Sequence, residues 1–195
     1  MLIYPNTEDI KILHDFLIEI YKEEEFPEKI EPGYNYESAI DSVLDLALRD
    51  NLHGQPLFPH TLQKAAVFLY YLNIFHPFTD GNKRTSLLVT HYFLRWNGYK
   101  LEIPKDAANF LIKIAIPESN LSYVDAYAWI LKHTKRSIFD ILRGLILPIL
   151  PESPNSDEGS LFFQLLDLYA FNPLPEFIWD ALRKSVEREQ EEPGH

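Results

Sequence analysis

The sequence predicts an all-α fold, a helical bundle with one short flap and a C-terminal helical extension. Three observations predict it. Apolar residues recur at spacings of three and four through almost every segment up to residue 147. Glycine and proline gather at a few breaks between those segments. A stretch rich in proline, serine and acid, PILPESPNSDEGS (148–160), then separates two further short periodic segments.

The N-terminal elements come first. Ile10, Leu13, Phe16, Leu17, Ile20 and Tyr21 make residues 7–23 an amphipathic helix, with Asn6 or Thr7 as cap and Glu8 and Asp9 suited to its positive end. A charged, proline-containing passage, Glu23–Pro32, comes next. Ile40, Val43, Leu44, Ala47 and Leu48 predict a second helix over 36–49. NLHGQPLFPH (51–60) holds one glycine and two prolines, so it reads as a short hairpin or extended flap. Residues 61–75 are mostly apolar all round and predict the central helix of the core.

A loop over 76–84 leads to another buried helix, Thr85–Trp96, which Asn97-Gly98 ends in the manner of a left-handed cap. Two helices, 105–116 and 122–135, are separated by Pro117, and Ser122 with Asp125 forms a capping arrangement at the second start. Ser137–Leu147 reads as a further helix. The expected organisation is a domain over 1–147, a linker over 148–160 and an extension over 161–195 with helices at 161–170 and 175–190. No internal repeat is present.

Composition narrows the function classes. A net charge of −11 disfavours nucleic acid and anionic membranes as partners, while a nucleotide still responds to a local field. The absence of cysteine excludes disulfides, thiolate metal sites and cysteine nucleophiles. The N-terminus lacks a basic segment followed by an apolar run, and no apolar stretch reaches the roughly 20 residues of a membrane span, so the expected location is the cytoplasm.

The chemistry concentrates in His76-Pro-Phe-Thr-Asp-Gly-Asn-Lys-Arg-Thr-Ser-Leu87. His76 leaves a buried helix and titrates near neutrality, which suits a general base; its ordinary alternative is to satisfy helix carbonyls. Asp80 has the chemistry of a magnesium ligand, or of a turn residue bonding its own backbone. Gly81 and Asn82 allow the backbone to form an anion nest, or simply a tight turn. Lys83 and Arg84 stand at the start of the next helix, as phosphate ligands or as two solvated cations. A cation there is electrostatically misplaced unless an anion joins it. At average usage, seven fixed identities in order recur by chance roughly once in 10^9 windows.

This loop resembles the signature of the Fic/Doc family, His-x-Phe-x-Asp/Glu-Gly-Asn-Gly/Lys-Arg, in its death-on-curing (Doc-like) form HxFxDGNKR. AAVFLYYLNIFHPF (65–78) and TSLLVTHYFLRWNGYKL (85–101) resemble the helices before and after that motif, and the resemblance covers residues 1–135. It implies a Fic/Doc-type helical bundle with a short β-hairpin flap beside the active-site loop. It further implies transfer of a phosphate-containing group from ATP or another NTP, with Mg2+, to a hydroxyl of a protein. His76 would be the catalytic base and Asp80 the metal ligand. Gly81, Asn82, Lys83 and Arg84 would bind phosphates. Phe78 would be structural. His53, Gly54, Gln55, Pro56, Leu57 and Phe58 would be the target-docking flap, acting by strand addition.

Two departures bear on the group moved. Where AMP-transferring members have Gly this chain has Lys83, and where they carry a second Arg it has Leu87. Both departures are shared by the Doc toxins and imply a reversed nucleotide and transfer of the γ-phosphate to Ser/Thr. The pair Asp80-Gly81 leans towards the AMP-transferring (AMPylation) type. The resemblance also implies a toxin-antitoxin setting, with a translation factor as target and a small antitoxin-like inhibitor as partner. An inactive Fic-fold binding or regulatory module is the reading from another class. A metal hydrolase on His76, Asp80 and His91 lacks a recognised ligand spacing. Ser185, Glu189 and Gln190 come nearest to the family's self-inhibitory helix, but that motif's glutamate pairs with the Arg that Leu87 replaces. The large apolar residues of 161–182 read as a packing or homodimerisation element.

Overall fold

A computed structural model of the chain describes residues 2–23, 30–49 and 53–137. The predicted linker at 148–160, the extension at 161–195 with Ser185–Gln190, and the predicted helix after Ser137 lie outside the described residues. Among the described residues six helices appear in chain order: α1 (Thr7–Glu23), α2 (Ser38–Leu48), α3 (Thr61–Ile74), α4 (Asn82–Trp96), α5 (Ala107–Ala115) and α6 (Tyr123–His133). A 3-10 turn, Pro117–Ser119, stands where Pro117 was expected to separate two helices. The fold class is therefore all-α, as expected, with one short antiparallel strand pair among the described residues.

α3 is the central element and packs against α2, α4 and α6. Its apolar circumference explains this: Ala65, Ala66, Val67, Phe68, Leu69 and Leu72 are all fully buried. Phe68 meets Phe93 of α4 edge-on at 5.0 Å between ring centres. α1 covers α4 and α2 through Ile10, Leu13, Leu17 and Tyr21. The expected stripe on α1 needs one correction. Phe16 is 40% exposed, and His14, one turn before Ile18, is fully buried instead. A rule that counts only apolar residues gives that inward position to the wrong side chain.

The caps are those that the sequence suggests. Asn6 donates its N–H to Asp9 Oδ2 at 2.7 Å, and Asp9 returns its N–H to Asn6 Oδ1 at 2.8 Å. Ser122 and Asp125 form the same kind of box at α6. Asn97 donates to Phe93 O at 2.7 Å and to Ile3 O at 2.8 Å, and Gly98 comes next with φ of +83°. α4 begins at Asn82 rather than Thr85, because left-handed Gly81 caps it and Thr85 donates to Gly81 O at 2.8 Å.

The two-stranded antiparallel pair joins β1 (Tyr99–Leu101) to β2 (Thr134–Arg136), with Tyr99 opposite Arg136 and Leu101 opposite Thr134. It ties the end of α6 to the end of α4. Its strands are three residues each, too short to show a period of two. The 53–60 segment is turn and bend around one β-bridge residue, Pro56, and Leu57 N–H donates to Arg49 O at 2.8 Å. Among the described residues no helix is long and apolar enough to cross a membrane.

Candidate active site

α3 and α4 are joined by the motif loop, so the two most buried helices aim one loop to the surface. α3 ends as Phe75 N–H donates to Tyr71 O at 3.0 Å. His76 then takes φ of +47°, a left-handed conformation that turns the chain out of the helix. Few non-glycine residues accept it, and the cost is about 1–3 kcal/mol, met here by the packing of buried Phe78 two residues on. The His76 side chain is exposed. Partial burial, and after it the charge of Lys83, lower its pKa below the ordinary histidine value. The ring is thus held in the form that accepts a proton.

Phe78 is fully buried beneath the loop. Its ring lies on that of His14, with centres 3.8 Å apart and planes 15° from parallel. The Asn82 side chain holds the backbone of the loop. Its Oδ1 accepts Phe78 N–H at 2.9 Å, and its Nδ2 donates to Phe78 O at 2.8 Å. The buried amide therefore clamps the loop upon itself, using one of its two N–H donors. Gly81 has φ of +75°; a Cβ there would come within 3.3 Å of both His14 Cε1 and Ile30 Cγ2. Asp80 is half-buried and its Oδ1 accepts Gly81 N–H at 2.5 Å.

Arg84 lies in the first turn of α4 and is 6% exposed. Its guanidinium carbon stands 4.9 Å from the centre of the Tyr21 ring, and its buried Nε has no hydrogen-bond partner. No carboxylate pairs with it among the described residues. A buried cation without an anion is costly, and a positive helix end adds to that cost. Lys83 beside it is half-buried.

His53, Gly54, Gln55, Pro56, Leu57 and Phe58, the expected flap, precede α3, and Phe58 packs on Tyr123 at 5.1 Å, a ring that also lies 6.3 Å from Tyr71. The segment hydrogen-bonded along the loop is 33–36. Thr79 N–H donates to Gly33 O at 3.0 Å, and Asn35 N–H donates to Pro77 O at 2.8 Å. Tyr34 and Phe78 form an antiparallel bridge between these two bonds. That makes them a non-hydrogen-bonded pair, whose own N–H and C=O groups point away from each other. On the Phe78 side Asn82 satisfies them. On the Tyr34 side they face outward without a partner among the described residues.

Sequence reasoning missed 33–36 because EPGYNY shows neither period and adjoins a charged, proline-containing passage. It missed His14 because a lone histidine inside a helical pattern carries no motif. The third metal-hydrolase residue, His91, is buried within α4, and burial lowers its pKa to about 3. Among the described residues no group of three or more His, Cys, Asp or Glu is arranged to hold a metal. Asp80 alone fits magnesium in the manner of sites that use one carboxylate plus the phosphates of the substrate.

Residues 4–94 match the model of the Fic/DOC family. The matched segment runs from the start of α1 through the motif loop to near the end of α4, somewhat less than half of the chain. It supports placing this region with the Fic/Doc family and a nucleotide-dependent, protein-modifying transferase role in general. No curated protein matches the chain.

Proposed function

We propose that the protein transfers the γ-phosphate of ATP, or of another NTP, to a Ser or Thr hydroxyl of a target protein. The observation that carries the phosphate site is Arg84: a buried guanidinium, stacked on Tyr21, beside a left-handed glycine cap, with no carboxylate to neutralise it among the described residues. An anion supplied by the ligand removes that imbalance. Lys83 and Leu87 favour γ- over α-phosphate transfer by the family resemblance, Lys83 standing where AMP-transferring members have Gly and apolar Leu87, 4% exposed, where they have a second Arg.

His76, exposed and held neutral, takes the proton of the incoming hydroxyl. The hydroxyl oxygen forms the new bond to the γ-phosphorus while the bond to the bridging oxygen breaks, and ADP carries the negative charge away. Arg84 and the N–H groups that open α4 hold that charge. Asp80 would hold Mg2+, and the ion would supply a Lewis acid that draws electron density from the phosphate oxygens. The outward N–H and C=O of Tyr34 receive an extended stretch of the target as an added strand, which brings a hydroxyl to His76 without reading much sequence. A small antitoxin-like inhibitor and a cytoplasmic translation factor as target complete this reading, and both rest on family resemblance alone. AMP transfer is the second reading, favoured by the Asp80-Gly81 pair.

The test is incubation of the protein with ATP, magnesium and a cell lysate, with His76→Ala as control. The expected result is a target that gains one phosphate only with the wild type. A gain of one AMP would move the assignment to the second reading, and no His76-dependent product would refute transfer.

A further inference from the structure

His14 is the fully buried residue that the motif does not contain and the proposed chemistry does not use. It stands in the middle of α1, more than sixty residues before the loop. Its ring touches that loop in three ways. One face is stacked on Phe78 at 3.8 Å between centres. Its edge lies where Gly81 leaves no Cβ, with Cε1 3.3 Å and Nδ1 3.5 Å from the position that a Cβ would occupy. Nδ1 shares a hydrogen bond of 3.0 Å with Thr85 Oγ1, in the first turn of α4. Its Nε2 is buried without a partner.

A purely space-filling role does not suit that last fact. An unsatisfied buried nitrogen costs about 1–3 kcal/mol, which leucine or phenylalanine would avoid. Polar groups that break a packing rule are tolerated where they shape a site. Burial lowers the His14 pKa to about 4, so its ring is uncharged at neutral pH and brings no charge of its own to the phosphates. What it brings is shape, a flat five-membered ring thin enough to fit beneath Gly81 and broad enough to seat Phe78.

We propose that His14 is the positioning residue of the phosphate-binding loop, fixing the left-handed turn at Gly81 and thereby the direction of the N–H groups that open α4. The proposal rests on the phosphate-site reading above for its functional half. Its structural half, that the ring sets the loop, stands without it.

The test uses the full chain with His14→Ala, His14→Asn and Leu111→Ala. The asparagine amide keeps a hydrogen-bonding group near Thr85 but removes the ring. Leu111 is a buried residue of α5 and serves as a control for general loss of stability. Amide hydrogen exchange is read over 76–84 and over α3, and the apparent Kd for magnesium-ATP is measured on each variant. Both His14 variants should raise exchange in the loop by about tenfold or more while α3 keeps its protection. Both should weaken nucleotide binding by roughly fivefold or more, since misdirected donors lose affinity. Leu111→Ala should lower the melting temperature without either effect. Loop exchange unchanged in His14→Asn would overturn the proposal, and so would equal loop exchange in Leu111→Ala. If His14→Ala does not fold, His14→Asn decides. If the wild type binds no nucleotide, the phosphate-site reading fails while the exchange measurement still decides whether His14 sets the loop.

Discussion

The guanidinium of Arg84 lies over the ring of Tyr21, 4.9 Å from its centre, inside a protein that gives it no carboxylate among the described residues. This pairing links α1 to the first turn of α4 and leaves a positive charge waiting for an anion. Magnesium-ATP at about 100 times its Kd should add about 2.7 kcal/mol to stability, a rise of roughly 5–10 °C in melting temperature for a domain of this size. Arg84→Met should abolish that rise. It should also leave the ligand-free protein at least as stable as the wild type, because an unneutralised buried charge has gone. Thermal melts with and without nucleotide check both halves, and a nucleotide-dependent rise that survives in Arg84→Met would contradict the site.

Asn82 should behave as a clamp. Asn82→Ala leaves the buried Phe78 N–H without its acceptor and should destabilise the protein by about 1–3 kcal/mol. Asn82→Asp keeps an acceptor for that N–H but sets a carboxylate against Phe78 O, where the native amide donates, and should cost at least as much. Chemical denaturation measures each. A purely ligand-facing Asn82 would give no loss in the absence of nucleotide.

Activity should depend on pH through His76. Its pKa is lowered, by burial first and by Lys83 second, so the neutral base persists below the ordinary histidine range. The rate should therefore be flat near neutrality and fall only on the acid side. Lys83→Met removes the repelling charge and should move that acid limb to higher pH, towards the ordinary histidine value. A pH profile of kcat/KM for the two proteins decides it. An unmoved limb would show that Lys83 does not act on His76.

Stability should fall on acidification from near neutrality towards pH 4. His14 titrates near 4 and His91 near 3 in the folded protein, both lowered mainly by burial. The unfolded chain binds protons at the ordinary histidine value, so between the two values it holds more protons than the fold does. The contribution is complete above the unfolded value and is lost as pH falls towards the folded one. Melting temperatures across that window would show it, and the variant His14→Asn should flatten part of the slope.

Gly33 has φ of +136°, and a Cβ there would meet Thr79 Oγ1 at 2.8 Å. Gly33→Ala should therefore push residues 33–36 off the loop, at a cost of about 1–3 kcal/mol. If the edge at Tyr34 receives the target as proposed, the substitution should raise the KM for a protein target more than that for nucleotide. Steady-state kinetics with each substrate varied separate the two, and an effect confined to nucleotide would sink the docking assignment.

Much of this was legible in the sequence because helices declare themselves locally. Ile10, Leu13 and Leu17 mark one face at helical spacing, and Asn6 with Asp9 and Ser122 with Asp125 mark starts. The motif likewise puts its chemistry in consecutive residues. The features that stayed hidden depend on contacts between distant parts of the chain. His14 gains its meaning only when α1 lies against α4. The 33–36 segment forms a single bridge, which leaves no period to read. The backbone bonds of Asn82 are equally hidden, because an amide shows no preference until its partner at Phe78 is known.

The central claim is that this loop moves the γ-phosphate of a nucleotide to a protein. The most direct measurement supplies ATP labelled on either the γ- or the α-phosphate, with magnesium and a lysate, to the wild type and to His76→Ala. Label on protein from the γ-position only, and only with the wild type, is the predicted result. Label from the α-position, or equal labelling with His76→Ala, would contradict it.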